Sequence, residues 1–421
     1  MQLLSTINRR FEGLSPFFQG AIEAMSVNGL GLFAALVAQA ALAQVLGPSD
    51  FGVYSAAVSV AAVLAVFAVG GMDTALLREV PKDPLNTATL VRRAERWIIV
   101  TVIVGAPVLY LWTRSWTMTA ASALLAVFFA AGTIRQFALR GILLVFWGRF
   151  PDIVMRPVLV AALVVGLHSY IALSPTIAIA LHAVATALVY VFGGLVLRDR
   201  LRRLDATALE TRIVPEIPVK DRALWLGLSL LTILSLEIDK LIGAALMTPS
   251  DFGHYALAAR LYGFGVLATE SLAVVAAPLA AKAIAKEKPE ELKKLELHLS
   301  CVLAFVVLVV LAVIVFFGEQ AVNFLAPGYS DSVAPLEVLG LAALAAPIVL
   351  PRLAISSVVQ PRTAWRLQIV ALLGSALACT GVTWWAVRGG EMAPAVALAW
   401  GVVVGAALRA VLWRVFGRLQ A

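Results

Sequence analysis

Long apolar stretches, broken by short charged or Pro/Gly-rich segments, recur along the whole chain. A helix needs about 20 predominantly apolar residues to cross the hydrocarbon core of a bilayer. Twelve stretches reach or approach that length: 24–46, 53–75, 97–113, 117–139, 154–173, 176–197, 223–247, 254–281, 299–317, 333–351, 367–387 and 391–413. Arg135, Arg140 and Arg149 blur the exit of the fourth, and Arg156-Pro157 interrupts the fifth. The pattern predicts an all-α polytopic membrane protein. The first twenty residues carry Arg9, Arg10, Phe11, Phe17 and Phe18 without a small-residue cleavage site. They are expected to form an amphipathic lead-in on the membrane surface rather than a cleaved signal.

The chain repeats itself. Pro48-Ser49-Asp50-Phe51-Gly52-Val53-Tyr54 returns as Pro249-Ser250-Asp251-Phe252-Gly253-His254-Tyr255, six of seven positions identical at an offset of 201. Each copy joins the first two spans of a set of six. The reading is a duplicated six-span unit, with lobes at 1–205 and 206–421 and the polar stretch 198–222 as linker. Six is even, so both lobes enter the membrane the same way and are related by an axis along its normal. Transporters with internal repeats bind substrate at the seam of the repeats. The motif also has a plain structural use: Pro-Ser-Asp supplies a turn and a helix cap, and glycine a tight re-entry.

Composition narrows the class. Hydrophobic residues make up 61% and charged residues 14%, against about 25% charged in soluble chains. A soluble enzyme, a disordered chain and a DNA-binding protein are excluded. The net charge of +8 is a matter of place: twenty-six of the 33 Lys and Arg fall in alternate loops and termini, two on the other side, and five inside spans. Basic loops stay cytoplasmic, so both termini are expected in the cytoplasm and nucleic acid is not an expected partner. The segment 282–298 reads as a short charged helix. Pro107, Pro347 and Pro351 suggest kinks, and Gly401-x-x-x-Gly405 a close helix contact. Cys301 and Cys379 lie 78 residues apart, and four histidines show no ligand spacing. No P-loop is present. Nothing points to a metal, a cofactor or covalent chemistry, so the chain is read as a non-enzyme.

Three stretches resemble a known family. Leu46 to Tyr54, then Gly70-Gly71-Met72-Asp73-Thr74-Ala75-Leu76-Leu77-Arg78, then Asp239-Lys240-Leu241-Ile242-Gly243 with Tyr255-Ala256-Leu257-Ala258-Ala259-Arg260 are similar to polysaccharide-biosynthesis flippases. These belong to the multidrug/oligosaccharidyl-lipid/polysaccharide exporter superfamily. The resemblance is specific in about 35 residues and matches the rest of the chain in topology. It implies a twelve-span, two-lobed fold that moves a polyprenyl-diphosphate-linked oligosaccharide to the periplasmic leaflet of the bacterial inner membrane, with glycan polymerase or export machinery as a candidate partner.

Ionisable residues at membrane depth cost about 2.5–3.5 kcal/mol each on insertion scales, so they face a partner or a wet cavity. Glu237 and Lys240, three apart, share a helix face. One reading gives Lys240 and Arg260 the diphosphate, and Asp239, Glu237 or Glu270 a coupling Na+ or H+. The other makes Glu237–Lys240 and Asp239–Arg260 structural ion pairs. Arg78 either guides an anionic headgroup or anchors at the lipid phosphates. Asn28 and Gln39, eleven apart, share a face of the first span and bind sugar or join helices. Rival readings are a cation-coupled drug antiporter of the same superfamily; a facilitator-type sugar porter, whose Gly-rich loop is missing between Arg78 and Trp97; and a glycan ligase or polymerase, whose large external loop has no counterpart here.

Overall fold

The structure is a computed structural model and describes residues 16–205, 217–263, 265, 289–359 and 361–416. All regular structure among them is helical. Helix α1 (Pro16–Val69) bends at Gly47, whose φ of 72° and ψ of 170° leave the helical region. Only glycine takes such a φ without strain, so this residue turns one helical segment into two spans. Gly70 and Gly71, at φ 60° and 77°, end the second. The second span therefore stops at Val69, short of the expected 75, and α2 (Met72–Glu79) starts a new direction.

Helices α3 (Thr87–Thr113) and α4 (Trp116–Gly141) follow. Ser115 caps α4, its side chain accepting from the Met118 amide at 3.5 Å. The fifth span consists of α5 (Val145–Phe150), a π-helical turn over Pro151–Met155 and α6 (Arg156–His168). The wider turn carries the chain through Pro151 and Pro157. Arg149 and Arg156, expected in a loop and at an interruption, therefore lie inside helix. α7 (Pro175–Asp205) and α8 (Val219–Leu246) come next, then α9 over 249–263.

The remaining helices are α10 (Pro289–Leu325), α11 (Val333–Ala342), α12 (Ala346–Val359), α13 (Pro361–Val387) and α14 (Pro394–Val415). Residues 289–298 form the first turns of α10 rather than a separate charged helix; residues 282–288 lie outside the described residues. A 3-10 turn at Ala343–Ala345 separates α11 from α12 just before Pro347, which is the expected break in the tenth span.

Nine helical stretches among the described residues are long and apolar enough to cross a membrane. The first, Val27–Val69, holds two spans around Gly47. α8 has the length, at 28 residues, and carries Glu237, Asp239 and Lys240 within it. With α8 and α9 the twelve expected spans are accounted for, the eighth over its first part. Phe305, Phe316 and Val104 stay about 70% exposed, as side chains facing lipid do. The chain is a multi-pass membrane protein.

Packing groups the chain into two compact units. One holds the chain up to Ala38 with Leu64–Leu167 and Ile179–Gly227; the other holds Gln39–Val63, His168–Ala178 and everything from Leu228. In the second, α13 and α14 approach closely: a Cβ at Gly401 would stand 2.6 Å from Cys379 Cα, and one at Gly405 2.5 Å from Ser375 Oγ. Trp413 is fully buried there against Val349, Ala364, Leu367 and Ala410.

Candidate substrate and coupling site

The densest polar group at membrane depth lies on α8. One turn of helix brings Glu237 and Lys240 to the same face, 3.1 Å apart and both buried. Ser59, on the second arm of α1, donates to the other side of the same carboxylate oxygen at 2.6 Å. Lys240 also donates to the Leu236 carbonyl one turn back. Asp239 points elsewhere and accepts from Tyr255 Oη at 2.5 Å, with Lys240 Nζ 4.0 Å from its other oxygen. Arg260 on α9 is near enough to act electrostatically on Glu237. Its Nε is buried and has no hydrogen-bond partner among the described residues, and no salt bridge joins it to Asp239. Two carboxylates and two cations balance in charge, and the free donor sits on Arg260.

Both copies of the repeated turn lie in the same compact unit and meet. A Cβ on Gly52 would overlap the Pro249 carbonyl oxygen, and one on Gly253 the Pro48 carbonyl oxygen. Glycine is required at both places because backbone faces backbone. Each copy also repeats a stack: Phe51 on Tyr54 at 6.2 Å and 29°, Phe252 on Tyr255 at 6.4 Å and 26°. The reciprocal contact is the pattern of a two-fold pair. Tyr329, after α10, closes over it, edge-on to Phe51 at 6.1 Å and to His254 at 5.4 Å. Its hydroxyl donates to the Ala43 carbonyl at 3.1 Å. Burial, and Asp50 nearby, push that phenol well above its ordinary pKa, so it stays a donor.

A second polar group lies in the other compact unit. Arg149 on α5 donates to the Asn28 side chain at 3.1 Å. Arg140 at the end of α4 is packed under Gly148 and lies over the Phe137 ring at 4.7 Å. The two guanidinium groups are close enough to repel. Among the described residues no carboxylate forms a salt bridge with either. Arg135, five residues before Arg140 on α4, is by contrast engaged: Glu95 at 3.1 Å, the Tyr190 carbonyl at 2.9 Å and the Tyr190 ring at 3.5 Å. Gly194 leaves room for it, since a Cβ there would meet its guanidinium.

No protein-family model matches the chain, and no curated protein matches it in sequence. Solved structures do match. An inward-facing multidrug resistance MATE family transporter of the MOP superfamily superposes with a TM-score of 0.67 at 18% identity, over 95% of this chain and 98% of that one. An outward-facing one gives 0.67 at 16%, over 95% of each. The chain has the fold of MATE transporters. A MOP superfamily transporter from Pyrococcus furiosus, described as having a binding pocket of reverse polarity that suggests a different function, gives 0.61 at 16%, over 95% and 93%.

Of the residues singled out in the sequence, Glu237, Asp239, Lys240 and Arg260 come together. Asn28 does not join them; it holds Arg149 in the other unit. Gln39 has a buried side-chain oxygen with no partner among the described residues. Arg78 lies over the Trp225 ring at 5.3 Å. Glu270 lies outside the described residues. Ser59 was not singled out; Tyr255 was named only in the repeat and the family stretch, and Arg149 only at the exit of the fourth span. Ser59 had a signal, for it is 201 residues before Arg260 and so its repeat counterpart. Arg149 had none: its partner is 121 residues away.

Proposed function

We propose that the chain is an alternating-access transporter of the MOP type, and that its cargo is a polyprenyl-diphosphate-linked oligosaccharide moved to the periplasmic leaflet. The observation that carries the cargo class is the Arg149–Arg140 pair, two half-buried cations held beside a neutral amide with no carboxylate bridged to them. A drug cation would be repelled there; a diphosphate forms charge-assisted hydrogen bonds with such a pair. Arg260, whose Nε has no hydrogen-bond partner among the described residues, is a further cation suited to an anion. The Glu237–Lys240–Asp239 group is then the coupling element: loss of a carboxylate charge to a proton, or its capture of Na+, frees Lys240.

The antiporter reading keeps one observation in its favour, the likeness to multidrug transporters. The test is surface glycan made by cells that carry Arg149→Gln with Arg140→Gln at matched protein levels. The flippase reading expects a loss of at least about tenfold, the rate equivalent of roughly 1.4 kcal/mol. Undiminished glycan in the double variant overturns the assignment of this pair to the cargo.

A further inference from the structure

A groove of about 500 Å³ opens between the start of α10, α12 and the end of α14, outside the groups described above. That volume is within the range of small-molecule sites. Its wall follows one stripe of α10 at helical spacing: Lys293, then Leu297, Ser300 and Cys301, then Ala304. Arg352 and Arg414 stand at the charged end, and Pro347 and Ile348 continue the apolar side. Lys293 to Ala304 is eleven residues, so the groove grades from cationic to apolar over about 16 Å of helix.

We infer that this groove is a binding site for an anionic phospholipid of the basic side of the membrane, its phosphate held by Lys293, Arg352 and Arg414 and one acyl chain along the wall toward Ala304. Charge complementarity supports it. Three cations line the groove against one carboxylate, Glu296, and that carboxylate is already taken by Arg352 at 2.7 Å. Arg352 is held in turn by the Trp413 carbonyl at 3.3 Å, so its guanidinium is fixed rather than free to swing into solvent. Lys293 reaches Glu290 only at 3.8 Å, with both exposed, and Arg414 makes no salt bridge among the described residues. The groove also opens the right way. Leu297, Phe305 and Leu308 on the same helix are 58–69% exposed, the exposure of a surface covered by hydrocarbon. A basic recess between membrane helices near the cytoplasmic surface is the setting in which lipid phosphates bind. The site holds for any cargo.

Cys301 lies in the groove and is exposed, whereas Cys379, the other cysteine of the chain, is buried. The native protein thus reports on the groove through alkylation of one thiol. The full chain is placed in nanodiscs of phosphatidylcholine with and without phosphatidylglycerol, and the rate of reaction with a neutral maleimide is followed. Phosphatidylglycerol is expected to slow the reaction of the wild type and not that of Lys293→Gln with Arg414→Gln, a variant that leaves Arg352 and its bracing contacts in place. Native mass spectrometry of the same samples is expected to show phosphatidylglycerol retained by the wild type and weakened by roughly 30-fold in the variant, the loss for two interfacial cations. Equal slowing in wild type and variant, or equal retention, overturns the site. Protection by inorganic phosphate in detergent as strong as that by the lipid would make it a phosphate site and overturn the lipid assignment.

Discussion

Lys240 shares Glu237 with Ser59, and all three side chains are buried. A buried pair is weak support for stability, yet breaking one is costly because a lone charge stays behind. Lys240→Met is therefore expected to destabilise by about 3–5 kcal/mol, while Glu237→Gln with Lys240→Met, which keeps an acceptor for Ser59, should restore most of it. Thermal unfolding in detergent measures both; equal loss in the two variants would show that the pair is not the source. Arg260→Gln removes one of the balancing cations but no hydrogen bond from Nε, and is expected to cost transport more than Tm. The pairing of Glu237 with Lys240 was legible because both sit on one helix, three residues apart. The alternative pair, Asp239 with Arg260, was not found: Tyr255, the last residue of the repeated motif, takes Asp239 instead. That contact joins two helices through a loop, and no local spacing encodes it. Arg149 with Asn28 was hidden for the same reason.

Among the helices, glycine decides where the chain bends and where it touches. Gly47 bends the chain where apolar length ended the first span at 46, while the Gly70-Gly71 pair ends the second a few residues before the expected 75. The π turn at Pro151–Met155 carries the expected fifth span back to Val145, through residues that charge and proline made look like its preceding loop. The repeat was plain in the sequence, but its use was not: identity at an offset shows duplication, while the reciprocal burial of Gly52 and Gly253 needs both copies in place. Gly52→Ala or Gly253→Ala pushes a methyl group into a backbone carbonyl and is expected to cost about 1–3 kcal/mol. The loss should be similar for the two, since the contact is reciprocal; a loss confined to one copy, read by Tm, would contradict the pairing. Gly401→Val should separate α13 from α14 and lower Tm more than Gly381→Val, because nothing stands within 4 Å of a Cβ at Gly381.

For the whole molecule the claim is that a MATE fold carries an anionic lipid-linked glycan by alternating access. The fold was legible from twelve apolar runs, because membrane solvation fixes the length and hydropathy of each span. The cargo was not, because a solved structure of similar fold is described as having a binding pocket of reverse polarity that suggests a different function. If the paired turns must separate during each cycle, a reducible bifunctional maleimide between Ser49→Cys and Ser250→Cys, in a chain with both native cysteines replaced by serine, should stop transport, and reduction should restore it. Transport that continues in the cross-linked protein would contradict a moving turn pair. The most direct measurement is translocation in proteoliposomes. A labelled polyprenyl-diphosphate oligosaccharide is placed in one leaflet, and its exposure to an impermeant glycosidase on the other side is followed. Exposure is expected to depend on the wild-type protein and to fail with Arg149→Gln and Arg140→Gln together. No exposure of the glycan lipid, with a lipophilic drug cation expelled under a Na+ or proton gradient by the same vesicles, would contradict it.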